Sequence, residues 1–276
     1  MGRPIHGRFV DYPSRRYRRR GEDETETDTT PRRPALRAVR GRDEREPTKP
    51  KPARRASKSA PTTAPKRRRG RRTEANDELA RLAGRNAARA QAQLERAATA
   101  YADGRERDAA RDLRALRDAY PEAAGVRELL GLADYRLGHY GVAAKELEAF
   151  VELTGSVEQH PVLMDSYRAQ RRYDDVTRLW GELSEASPSA ELVTEGRIVA
   201  AGALADQRRT SEAIALLERK ASDAKRPQPH HLRLWYALGD LYERVGEIPR
   251  ARELFDRVRR HDPDFVDVAE RLASLR

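Results

Sequence analysis

The feature that most constrains this 276-residue chain is a spacing. Gly104 and Gly138 lie 34 residues apart, and so do Ala109 and Ala143. Further along, Ala143, Val176, Ala213 and Ala251 follow one another at intervals of 33, 37 and 38 residues. The two longer intervals fall where Pro188 and the Pro227/Pro229 pair mark loops. A recurrence of this length is that of a small structural unit stacked on copies of itself. Inside the last copy, Trp235, Leu238 and Tyr242 repeat at three and four residues, as do Ala251, Phe255 and Val258. Each trio lies on one face of a helix. Pro263 stops the second helix. A single pair of such helices cannot hide both apolar stripes, so neighbours must stack. The expected fold is all-α, a solenoid of paired helices.

The last copy, "LWYALGDLYERVGEIPRARELFDRVRRHDPDF", carries Trp235, Leu238, Gly239, Tyr242, Ala251, Phe255 and Pro263 at fixed offsets. This resembles the tetratricopeptide repeat, W-x2-L-G-x2-Y…A-x3-F…P. Leu130, Gly131, Ala143 and Leu147 occupy the corresponding slots of an earlier copy, and Leu113 and Pro121 those of the first. Two degenerate copies lie between, with Tyr167, Val176, Trp180 and Pro188 in one and Leu204, Ala213 and Leu217 in the other. The resemblance implies about five helix-turn-helix repeats, at about 90–123, 124–156, 157–193, 194–231 and 232–265. A leading helix is expected over Glu74–Arg89, with Gly84 its weak point, and a closing helix over 267–275. Trp180 and Trp235 are expected in the core.

Charge divides the chain differently. Residues 1–72 hold 24 Lys and Arg against 9 Asp and Glu, whereas residues 73–276 hold 32 against 36. Large apolar side chains are few in 1–72, Pro is frequent, and the segment is expected to be a disordered basic tail ahead of a 73–276 solenoid. Two Arg-rich blocks stand out. Phe9, Tyr12, Arg15, Arg16, Tyr17, Arg18, Arg19 and Arg20 make one; Lys66, Arg67, Arg68, Arg69, Arg71 and Arg72 make the other. Arg on phosphates and aromatic rings on unpaired bases is the chemistry of RNA or DNA contact. A solvated tail with no fixed partner fits the same residues, and the acidic run Glu22–Asp28 can neutralise the first block.

Catalytic constellations are not found. There is no Cys, which removes thiolate nucleophiles, disulfides and Cys-held metals. No GxGxxG or GxxxxGK[ST] loop is present. His139, His160 and His261 read as exposed turn residues. Neither a metal nor a cofactor is expected. No run approaches the roughly 20 apolar residues that a bilayer requires, so no membrane role is expected and the chain reads as cytoplasmic.

The resemblance implies an inner surface built from first helices. The inward slots are Leu94/Ala98, Glu128/Leu132, Pro161/Asp165, Ile198/Gly202 and Tyr236/Asp240, with Tyr135, Arg136, Arg168, Arg233, Glu243 and Arg244 beside them. The Lys and Asn that grip a chaperone's terminal carboxylate are missing from these slots. The expected function is a non-enzymatic adaptor holding a protein or peptide segment in this groove, its tail adding electrostatic contacts. The alternative is an RNA- or ribosome-associated factor acting through the tail.

Overall fold

The computed structural model describes residues 65–221 and 226–275. Among these, every regular element is helical. Helix α1 (Pro65–Ala83) leads through a 3-10 turn (Gly84–Asn86) into five pairs. They are α2 (Ala87–Ala102) with α3 (Glu106–Ala119), α4 (Ala124–Arg136) with α5 (Tyr140–Thr154), and α6 (His160–Ala169) with α7 (Tyr173–Ala186). Then come α8 (Ala190–Asp206) with α9 (Thr210–Glu218) and α10 (Pro229–Arg244) with α11 (Ile248–His261). Helix α12 (Val268–Ser274) closes the stack.

One device makes all five hairpins. The turn residue is left-handed each time: Gly104, Gly138, Arg171, Arg208 and Gly246, with φ between 60° and 80°. The amide of the residue after it donates to a carbonyl five positions back, from Arg105 to Ala100, His139 to Asp134, Arg172 to Tyr167, Arg209 to Leu204 and Glu247 to Tyr242. This bond closes the first helix and fixes where the second begins.

Packing follows the same register. Leu113, Leu147, Leu217 and Phe255, one on each of four second helices, are completely buried. Opposite two of them stands a glycine of the first helix. A Cβ on Gly131 would stand 2.7 Å from Leu147, and one on Gly239 2.9 Å from Phe255. Fully burying such a side chain contributes roughly 1.5–3 kcal/mol, more than the ~0–1 kcal/mol of an exposed ion pair. The apolar seam therefore holds the stack. Buried carboxylates add direction to it. Glu146 of α5 accepts from Arg117 of α3 at 2.6 Å and from Arg127 of α4 at 2.7 Å. Asp134 accepts from Arg114 at 2.6 Å.

Several expected boundaries move. Helix α1 starts at Pro65, inside the segment read as tail. Lys66–Arg72 are tolerated in a helix, and Pro with its fixed φ suits the first helical position. The helix expected over Glu74–Arg89 breaks at Gly84, which has φ 51°. The fourth and fifth pairs begin at Ala190 and Pro229, a few residues early. Ser189 caps α8 by accepting from the Leu192 amide, and Gln228 forms a capping box with His231 ahead of α10. The remaining tail, including Phe9, Tyr12 and Arg15–Arg20, lies outside the described residues.

Candidate protein-binding faces

At 100° per residue, Gly125, Leu132 and Arg136 share a stripe of α4 that turns away from Gly131 and its partner helix α5. This is the stripe expected to line the groove, and its start is already covered. Helix α1 lies across α2 and α4, with Ala75 so close to Gly125 that an added Cβ would meet it at 2.4 Å. Glu78 accepts from the Gly125 amide at 3.2 Å. On the α2 side, Gln91 donates to the Asn76 carbonyl and Asn76 to Glu95, both at 3.1 Å. Leu79 and Ala83 pack into the cluster that contains Leu94 and Ala97. Gly125 is the sequence signal for this docking. The equivalent positions elsewhere carry Gln91, Glu158, Glu195 and Arg233, all too large for a helix to approach so closely.

Further along, most of the expected groove residues connect successive first helices. Gln159 donates to Glu128 at 2.7 Å. The Tyr135 ring is buried and its hydroxyl donates to Asp165 at 2.5 Å. Asp165 also pairs with Arg168 at 3.0 Å, and Arg168 reaches Asp206 of the next repeat at 2.9 Å. Arg168 can lie flat there because Gly202 has no side chain. Arg136 stacks on Tyr101 at 3.9 Å. Tyr236 is buried and its hydroxyl donates to Asp267; burial first, and that carboxylate second, hold it above the usual phenol range. Arg271 of α12 bonds Asp240 at 2.8 Å and Glu243 at 2.7 Å, and Arg244 pairs back to Asp240 at 2.8 Å. Of the ten residues singled out, Tyr135, Asp165, Arg168, Arg233, Tyr236 and Asp240 are buried, and Arg244 is exposed. The two tyrosines tie neighbouring helices together within the chain.

Between repeats four and five the charges are strained. Arg233 of α10 is buried, 2.5 Å from Glu195 and 3.3 Å from Glu191 of α8. Burial pushes the Glu195 carboxyl up from 4.5 to about 7, against the pull of Arg233. Burial outweighs the attraction of Arg233, and the neighbouring Glu191 charge adds to the upward shift.

Two other residues depart from expectation. His160 is buried, not exposed. Its Nε2 lies 3.1 Å from Glu182, and desolvation lowers its pKa. Trp180 is only half-buried, unlike Trp235. In the third repeat Met164 occupies the glycine slot and is itself completely buried. Among the described residues no group of three or more His, Cys, Asp or Glu could hold a metal ion, and no helix is long and apolar enough to cross a membrane. Lys66–Arg69, Arg71 and Arg72 fall on the first turns of α1.

Residues 232–275 match the family profile of the tetratricopeptide repeat. The fold is similar to a thermophilic TPR protein of Thermus thermophilus, with TM-score 0.52 and 18% identity over 67% of this chain and 98% of that one. It is also similar to a tetratricopeptide repeat protein from Parabacteroides merdae, with TM-score 0.54 and 20% identity over 76% and 79%. No curated protein sequence matches the chain.

Proposed function

The chain folds as a tetratricopeptide-repeat solenoid, its last repeat bearing that family's sequence pattern, and from that premise we propose that it is a non-catalytic adaptor whose inner face holds a helical segment of a partner protein. Solenoids of this kind are protein-interaction scaffolds in general. The observation that carries the finer reading is α1. The inner face already takes one helix, through a small-residue contact at Ala75 and a carboxylate on a backbone amide at Gly125. Beyond α4, the same face presents the half-buried Glu243 and the exposed Asp206 and Arg244. Surface of mixed charge suits the polar flanks of an amphipathic helix laid in a groove.

The test is affinity capture with the full chain and with an Asp206→Arg/Arg244→Glu variant, each with and without nuclease. The adaptor reading expects partners that survive nuclease and are lost from the charge-reversed variant. Partners lost only on nuclease treatment would instead assign the binding to nucleic acid and the Arg-rich segments.

A further inference from the structure

On the side of α8 turned away from Gly202 and Asp206, a cleft of about 340 Å³ opens between α7, α8 and α9. It lies between two repeats and is separate from the inner face. Its floor is apolar: Val176 and Trp180 from α7, Leu204 from α8 and Leu216 from α9. Val176 is buried; the other three are half-buried. Trp180, in the slot facing the fully buried Met164, is only partly buried and forms one wall of the cleft.

Two cations attend this floor. Arg197 lies one turn before Ala200 on the same α8 stripe as Leu204 and sits over the Trp180 ring at 5.3 Å. Arg219 lines the cleft one turn beyond Ala215 and Leu216. The other arginine of the rim, Arg209, is held by both carboxylate oxygens of Glu212 at 2.7 Å. Neither Arg197 nor Arg219 has an ion pair among the described residues. Arg197 is also half-buried; desolvation, and then the charge of Arg219, lower its pKa. Two like charges beside an apolar wall, one partly desolvated, make a place where an arriving carboxylate gains on both counts.

We propose that this cleft is a second docking site, for a peptide that inserts one large apolar side chain against Trp180 and lays an adjacent carboxylate on Arg197 and Arg219. The volume lies in the range of small ligand pockets, roughly 300–1,000 Å³. A planar guanidinium matches a carboxylate with two parallel bonds. The aliphatic walls of Leu204 and Leu216 suit a side chain better than a base.

Trp180 is its own reporter, because the chain's other tryptophan, Trp235, is buried in the last repeat. The experiment titrates the full chain with acetyl-Phe-Glu-Glu-amide and follows tryptophan emission. The expected result is a saturable blue shift, absent in Trp180→Phe. Replacing the peptide's Phe by Ala, or its two Glu by Gln, should weaken binding about tenfold, the equivalent of ~1.4 kcal/mol. Arg219→Gln should do the same; its side chain is exposed, so the fold is not at stake, and Arg197→Gln serves as the second variant. Overturning results are no saturable change at millimolar peptide, equal affinity for the Gln peptide, or unchanged binding to Arg219→Gln. Two further outcomes would give the cleft to other occupants and overturn the proposal equally. Emission that depends on protein concentration alone would assign it to a second copy. Emission that shifts only when Glu22–Asp28 are neutralised would assign it to the chain's own acidic run.

Discussion

The third and fifth repeats solve one packing problem in opposite ways. In the fifth, Gly239 leaves room and Phe255 fills it, with no exposed surface on the ring. In the third, Met164 fills the room from the first helix, and Trp180 is only partly buried. The bulk across the seam is similar, but it comes from different helices. The consequence is local. The third repeat leaves an aromatic wall that the fourth repeat completes into a cleft. A degenerate repeat is thus not merely a weaker copy. Where the slot residues exchange sizes, the surface changes while the stack survives.

The sharpest way to test this contrast is to delete both rings. Trp235→Ala removes a core side chain and should destabilise the chain by about 3–5 kcal/mol, read by chemical denaturation. Trp180→Ala should cost less, since that side chain is only partly buried. Equal losses would mean that Trp180 is a core residue and that the cleft is closed in solution. A transplant is the next largest effect. Gly239→Met puts the third repeat's solution into the fifth without moving Phe255, whose ring atoms stand 2.9–3.2 Å from the site of the new Cβ. Overpacking of this kind should cost about 1–3 kcal/mol. A following Phe255→Ala change should then cost less than it does in the parent, because Met would occupy its space.

The junctions on either side of the fourth repeat differ in charge as the repeats differ in shape. Arg168 meets Asp206 at the first, and Arg233 meets Glu195 at the second. Glu195 is driven up to about 7 by its burial. A carboxyl raised in the folded state holds a proton that the unfolded chain releases. Its contribution to stability is therefore fully present below about 4.5 and is lost as pH rises through about 7. Glu195→Gln should remove that slope. The stability difference between parent and variant should shift against the parent by about 1–3 kcal/mol from pH 4.5 to 7.5. A difference that is flat with pH would show that Glu195 stays ionised in the fold and that Arg233 dominates the junction.

How much of this was legible in the sequence depends on whether a position speaks through size or through backbone. The slots at Gly131, Gly239, Leu147 and Phe255 announce themselves, because close approach restricts them to particular side chains. The helix pairs and their number follow from those slots and their spacing. Met164 and Trp180 carry a readable signal too, two bulky residues in facing slots, but its outcome is a competition for space that spacing alone does not resolve. Gly125 marks the docking of α1, a contact between distant segments that no periodicity encodes. Tyr135 and Tyr236 were expected as groove residues. That they bond Asp165 and Asp267 of the following segments depends on how closely the repeats stack.

The smallest effect concerns a backbone signal that periodicity missed altogether. Three hairpins turn on glycine, but the third and fourth turn on Arg171 and Arg208, at φ 60° and 63°. An L side chain in this region carries a penalty of about 1–2 kcal/mol, whereas glycine there adopts the same angles freely and gives back only some of that gain as unfolded-state entropy. Both arginines are exposed. Arg171→Gly and Arg208→Gly should therefore each stabilise the chain by about 0.5–1 kcal/mol, and Gly138→Arg should destabilise it by a similar amount, all read as shifts in denaturation midpoint. If Arg171→Gly instead lowers stability while Arg208→Gly raises it, the third hairpin is held by its side chain as well as by its turn. The third repeat would then differ from the fifth in its hairpin as well as in its seam.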